Sequence, residues 1–465
     1  MSIFAKKQDR ETREQREADT LALVWDQYQQ GLSYLDRFNV FRTLEDCYRF
    51  FEGDQWAFGG QRLQTGGDNY PVLNFIEPTV RHKVATICMN SVGVSFSPAG
   101  LTAPEERERS LGVCKAMESH VRLLFENFRL DVELWSYVLH AAIGGLVCVY
   151  LDEKGRPETV DQTNLFLGDE QEGDIQRQPY IIIRERRFAE EVRAEARRNG
   201  VPDRLVEMIL PDEETERSLG EMAKAEIKTR REDGKCTTLL KLWKGEDGDV
   251  HFLRCTKDVL TQPEQVVTGL KLYPLATMVW NERKGSARGR GEVWDMIPAQ
   301  IEVNKNLARR IFASKQSAFP RLAYDQTSLQ NPEALNVVGA PIAVDGSVGQ
   351  VRDLITYLQP QPVSGDAKEL GRELISITRE LHNAGDAVMG NINPEQASGA
   401  AIVAAKNQAE VSLNWQREAY KALVEAIARI WVALTVVYRP NGLTTYLTGD
   451  DGEQTPVTIS GEELQ

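Results

Sequence analysis

Apolar residues in the C-terminal half recur at helical spacing. Ile297, Ile301, Leu307, Ala308 and Ile311 fall on one face of a helix expected over residues 298–318. Leu370, Leu374, Ile377 and Leu381 are spaced four, three and four, which predicts a second helix over 366–384 capped by Ser364. Helices of this length span about 30 Å. Between them the pattern changes to short alternating runs, Arg321-Leu-Ala-Tyr-Asp, Ala340-Pro-Ile-Ala-Val-Asp and Ile355-Thr-Tyr-Leu. Turn signals at Asn331-Pro332, Asp345-Gly346 and Gly349 separate these runs. The pattern predicts two helices that carry a small β element out and return the chain. A glycine-containing loop, Gly385-Asp-Ala-Val-Met-Gly-Asn-Ile-Asn-Pro394, leads to a third helix from Ser398 to Arg439, either one long helix or two joined. Its apolar side includes Leu413, Tyr420, Leu423, Ile427, Ile430, Trp431, Leu434 and Val437.

The N-terminal half reads as mixed helix and strand. Residues 1–20 are a charged run, expected as a solvated arm or a frayed helix. Helices rich in aromatics follow over 21–51: Trp25, Tyr28, Tyr34, Phe38, Phe41, Tyr48, Phe50 and Phe51 are expected in core or at a subunit interface. Further helices are expected over 79–91, 103–128, 130–144 and 188–199. Strands are expected over 144–151 and 177–187, with a hairpin of 235–244 and 249–257, and residues 272–280 leading into the first long helix. The chain closes with a hairpin over 444–459 around Asp450-Asp-Gly452. The fold class is α+β, mainly helical.

Charge and chemistry narrow the picture. The chain has 465 residues and a formal net charge of −14, with 42% hydrophobic and 27% charged residues. A protein that grips nucleic-acid phosphates tightly should be basic, so strong non-specific duplex binding is not expected. The six cysteines form no CxxC pair, which favours free buried thiols. The N-terminus lacks a signal-peptide core, and the most apolar runs, 138–151 and 427–437, are too short to span a bilayer, so neither secretion nor a membrane partner is expected. Gly285-Ser-Ala-Arg-Gly-Arg-Gly291 lacks the Lys-Ser/Thr of a phosphate loop and reads as a flexible hinge. No HExxH, GxSxG or deaminase metal motif occurs, and the five histidines read as core or surface residues. No catalytic residue, metal ligand or cofactor follows from the sequence.

Gly291-Glu-Val-Trp-Asp-Met-Ile-Pro-Ala-Gln-Ile-Glu-Val-Asn304-Lys-Asn306 resembles the stem entry of tailed-bacteriophage portal proteins. Pro394-Glu-Gln-Ala-Ser398-Gly399-Ala-Ala-Ile402 resembles the segment that follows their second stem helix. Tyr48-Arg-Phe-Phe-Glu-Gly-Asp-Gln-Trp56 and Asn74-Phe-Ile-Glu-Pro78 extend the similarity more weakly. It is closest to portals of short-tailed phages and covers about residues 40–460. The resemblance implies a portal fold: N-terminal arm 1–20, wing 21–284, first stem helix 285–318, clip 319–360 and second stem helix 361–384. It continues with a tunnel loop 385–397, a wing/crown helix 398–439 and a C-terminal hairpin 440–465 as a short or truncated crown. It implies a non-enzymatic homododecamer at one capsid vertex of the virion, assembled in the host cytoplasm. Double-stranded DNA would pass through its channel, during packaging and ejection, without sequence readout. Implied partners are the terminase large subunit, head-completion and tail adaptor proteins, and major capsid and scaffolding proteins.

The resemblance also gives roles to residues. Asp386, Val388, Met389, Gly390, Asn391 and Ile392 would meet the DNA from the tunnel loop. Asn304, Lys305, Arg309, Arg310, Lys315, Lys368 and Arg372 would line the stem. Arg321, Tyr324, Asp325, Asp345 and Arg352 would dock terminase or adaptor. Two other readings stay open: a metal-dependent nuclease acting on phage DNA, and an α-helical scaffold or adaptor without a channel.

Overall fold

The computed structural model describes residues 2–58, 61–62, 71–89, 92–98, 104–212, 234–318, 321–324, 355–358, 365–385, 411–448 and 454–461, with residue 407 and scattered positions between 327 and 345. Its order begins with α1 (Ser2–Arg37) and α2 (Val40–Glu52), a two-residue hairpin β1 (Ala57–Phe58) and β2 (Gln61–Arg62), and α3 (Ile76–Cys88). Helices α4 (Pro104–Asn127) and α5 (Leu130–Gly144) precede β3 (Leu146–Leu151), β4 (Pro157–Val160), β5 (Leu165–Leu167) and β6 (Tyr180–Phe188). Next come α6 (Ala189–Arg198), α7 (Asp203–Val206), β7 (Lys235–Lys244), β8 (Val250–Cys255), β9 (Leu260–Val267), β10 (Leu275–Val279), β11 (Asn281–Arg283) and β12 (Ser286–Arg290). The chain closes with α8 (Val293–Ala318), β13 (Arg321–Tyr324), β14 (Ile355–Leu358), α9 (Gly365–Leu381), α10 (Asn414–Tyr438), β15 (Leu443–Thr448) and β16 (Gln454–Ile459). The fold class is therefore α+β.

Two antiparallel sheets organise the N-terminal half, ordered β5-β6-β7-β8-β9 and β10-β3-β4. Side chains alternate across a strand, and in the larger sheet both faces are covered. Ile181, Ile183, Leu240 and Leu242 enter the main core, while Ile182, Leu239, Phe166 and Leu253 meet Val24, Tyr28 and Leu35 of α1 on the opposite face. This double covering explains why Ile181, Ile182 and Ile183 of β6, and Leu239 and Leu240 of β7, are apolar at adjacent positions rather than alternating. The charged N-terminal run is the start of α1, and that helix caps the sheet. Of the aromatic residues expected in core or at a subunit interface, Tyr28, Phe41, Phe50 and Phe51 are buried, whereas Phe38 is 58% exposed. Phe38 lies in the turn before Asn39, whose φ of 53° ends α1 and redirects the chain.

The smaller sheet packs against α5 and α10. Leu423, Ile427, Ile430, Trp431 and Leu434 of α10 join Leu275, Ala276 and Met278 of β10 in the main core. Trp431 donates its indole N–H to the Gly155 carbonyl at 2.6 Å, fixing the β3–β4 turn beneath it.

Three expectations change. The glycine- and arginine-rich run 285–291 is no flexible hinge: it forms β12 and pairs with β11. Its glycines serve close packing, since a Cβ on Gly291 would collide with the Ile143 carbonyl oxygen and one on Gly289 with the Val279 side chain. The first long helix begins at Val293, five residues before Pro298, because Val293, Met296 and Ile297 are all buried. Core burial of these three outweighs the backbone hydrogen bond that Pro298 cannot donate. The expected strand at 340–345 is absent among the described residues there. At the described positions there Asn331 accepts from Ala343 N–H at 2.7 Å and donates to the Pro341 carbonyl at 2.9 Å, and Gln330 N–H donates to the Ala343 carbonyl at 3.0 Å; residues 342 and 344 lie outside the described residues. The loop 385–397 lies outside the described residues beyond Gly385, as does most of 398–410; the described part of the third helix is α10.

Candidate functional site

Helices α8 and α9 pack on each other and join the body at one end. The base of α8 is held by a network of side-chain amides that its 3.6-residue period aims at one strand-like segment. Gln300 and Asn304, four apart and both buried, face residues 71–75, which lead into α3. Gln300 accepts from Phe75 N–H at 3.1 Å and donates to the Leu73 carbonyl at 2.8 Å. Asn304 accepts from Leu73 N–H at 3.0 Å and donates to Gln55 Oε1 at 2.7 Å. The backbone groups of this partly exposed connection are thus paired without a strand beside them. Asn74 caps α3 by accepting from Ile76 N–H at 3.1 Å and Glu77 N–H at 3.3 Å.

Below this network lies a buried ionic cluster. Glu292, just before α8, accepts from Lys83 Nζ of α3 through Oε1, and His382 Nδ1, just after α9, meets the same oxygen. Trp280 Nε1 donates to Oε2 at 2.9 Å. Lys83 and Glu292 are both nearly excluded from solvent, and Trp280 is wholly buried. Burial pushes the Glu292 carboxyl up, but donation from His382 and Lys83 outweighs it and holds the group down at about 2. A second buried pair, Arg288 with Glu170, clamps β12 to the larger sheet. Arg288 also donates to the Gln162 and Leu165 carbonyls, both at 2.7 Å.

Beyond its base the helix pair is uncovered. Ile311 is 38% and Phe312 54% exposed on α8; Leu370 is 50%, Ile377 46% and Leu381 77% exposed on α9. Within the stripe read from sequence, only Leu374 turns partly inward. Residues 305–318 carry Lys305, Arg309, Arg310 and Lys315 and no carboxylate.

The structure brings Lys305, Arg309, Arg310, Lys315 and Arg372 onto this one helix pair. Arg309, Lys315 and Arg372 are exposed, and Lys305 is bound to Glu302 at 3.0 Å. Lys368 lies in the first turn of α9. Asn304 is 1% exposed and is an internal joint of this chain rather than a surface residue. Arg321 opens β13 opposite Leu358, Tyr324 closes it opposite Ile355, and Asp345 is exposed. Asp325, Arg352, Asp386, Val388, Met389, Gly390, Asn391 and Ile392 lie outside the described residues. Sequence reasoning missed Lys83, Glu292, Trp280 and His382 as a unit. The one local signal was a carboxylate directly after a glycine at the helix entry.

Among the described residues no group of three or more His, Cys, Asp or Glu side chains is placed to hold a metal ion. No described helix is long and apolar enough to cross a membrane. All six cysteines are free, and burial raises the thiols of Cys47, Cys88, Cys148 and Cys255 to about 12, away from thiolate chemistry. No family model and no curated protein matches the chain.

Proposed function

We propose that this chain is the subunit of a ring that surrounds double-stranded DNA: a portal-type connector at a phage capsid vertex, acting mechanically rather than as an enzyme. The single observation that carries the reading is the bare apolar stripe on α8 and α9, Ile311, Phe312, Leu370, Ile377 and Leu381. Several large apolar side chains left exposed on one pair of helices are the kind of surface that marks an interaction site. Completing the burial of five half-exposed side chains is worth about 4–7 kcal/mol per contact before ordering costs. The occupant proposed is a second copy of the chain, repeated around a closed ring of twelve. The motif resemblance over 291–306 and 394–402 supplies the remainder: α8 and α9 as stem, β13 and β14 as part of a clip facing terminase and then the head-completion and tail adaptor proteins, and the sheets as wing. Capsid and scaffolding proteins would hold the outside. The cations of α8, repeated by symmetry, would form rings that guide DNA through diffuse charge rather than base contacts.

Electron microscopy with native mass spectrometry of the purified chain tests this. Closed rings with a central channel are expected. A monomer at micromolar concentration, or an open non-annular oligomer, refutes it. Metal-dependent cleavage of plasmid DNA by the pure protein would favour a nuclease instead.

A further inference from the structure

The two helices of the pair are anchored unequally. Helix α8 enters the body through Gly291, which has no room for a Cβ, and Glu292 N–H donates to the Ala142 carbonyl at 2.7 Å. Val293, Met296, Ile297, Gln300 and Asn304 then bury its first three turns. Helix α9 is held more lightly: Leu370, Ile377 and Leu381 are exposed, and it passes α8 where Gly371 lies against Asn306. Its far end meets the body through partly buried Leu374 and Ile375, buried Thr378 and Ala384, and His382, whose side chain is 15% exposed and meets Glu292. Asn383 then ends the helix with a φ of 53°.

We infer that the His382–Glu292 contact is a latch on α9: closed, it ties the end of that helix to the base of α8; open, it lets α9 move against a fixed α8. The cluster is built so that opening strands no charge. Glu292 keeps the Lys83 ammonium on Oε1 and the Trp280 indole N–H on Oε2 when His382 leaves. The imidazole, already at the solvent edge, exchanges the carboxylate for water. Lys83 has no such freedom, because withdrawing it would leave a buried carboxylate short of its counter-charge. One oxygen therefore holds a permanent partner and a releasable one. This inference does not depend on the ring reading, since it concerns contacts within one chain.

Hydrogen exchange resolved by peptide, on the full-length chain, tests it with His382→Ala and His382→Gln. Losing one charge-assisted hydrogen bond should speed exchange across residues 372–384 about ten-fold in His382→Ala. Residues 293–306 should stay within about two-fold of the parent, because their hydrogen bonds and burial do not involve His382. His382→Gln, which keeps a donor, should recover most of the protection. Unchanged α9 protection overturns the latch, as does equal loosening of α8 and α9. Failure of both variants to fold also overturns it, since the contact would then support the whole fold.

Discussion

Replacing Glu292 by Gln keeps the shape of the side chain but removes the charge that Lys83 was buried against. The ordinary carboxyl value of 4.5 falls to about 2 in the folded chain. That lowering corresponds to about 3 kcal/mol of stability at neutral pH. Removing one member of a buried pair costs a similar ~3–5 kcal/mol by a separate route, because the other charge is left unpaired. The sign follows from the direction of the shift. A depressed carboxyl stabilises above its unfolded value and loses that contribution as pH falls toward the folded value. The gap between parent and Glu292→Gln should thus be about 3 kcal/mol at pH 7 and shrink to about 1.4 kcal/mol at pH 3. Urea unfolding followed by tryptophan fluorescence, at several pH values, measures both. Lys83→Met in the Glu292→Gln background should be less damaging than the sum of the two single changes by at least ~1 kcal/mol. A deficit below ~1 kcal/mol at pH 7, or one independent of pH, or strict additivity of the pair, refutes the account.

Ile377→Glu with Leu381→Glu should leave the fold intact, because both side chains are already exposed, yet reduce self-association by several orders of magnitude, read by sedimentation velocity. Asn304→Ala removes a buried amide that satisfies Leu73 N–H and Gln55, and should lower the unfolding free energy by about 2–3 kcal/mol in a urea titration. His120 is held down to about 4 by burial and then by Arg439, so stability should be full above pH 6.5 and fall between 6.5 and 4 as the unfolded chain's imidazole takes a proton that the buried ring resists. Discounted for solvent reaching the ring, that slope is worth about 1–2 kcal/mol, and His120→Phe should abolish it in pH-dependent melts. Gly291→Ala should destabilise the junction of β12 with α8 by at least ~2 kcal/mol by thermal melt, since the added methyl meets backbone that cannot yield.

The helices and hairpins with strong local patterns were readable from the sequence alone. The period of three and four in Leu370, Leu374, Ile377 and Leu381 placed α9, and Glu246-Asp-Gly248 placed the turn between β7 and β8. These signals are carried by neighbours along the chain. What tertiary structure decided is where distant segments meet. The spacing gave α9 an apolar side, but only the fold shows that three of its four residues face solvent, because periodicity gives a side to a helix without saying what covers it. The glycines of 285–291 looked like freedom but are spaces for the Ile143 backbone and the Val279 side chain. Asn304 was expected to line the stem and is instead buried against a segment 231 residues away. Lys83, Glu292 and His382 were three unremarkable polar residues in sequence. They form one site because folding closes 209 residues between the first two and 90 between the last two. A carboxylate out of water must collect its donors wherever the chain brings them, and sequence spacing does not constrain where that is.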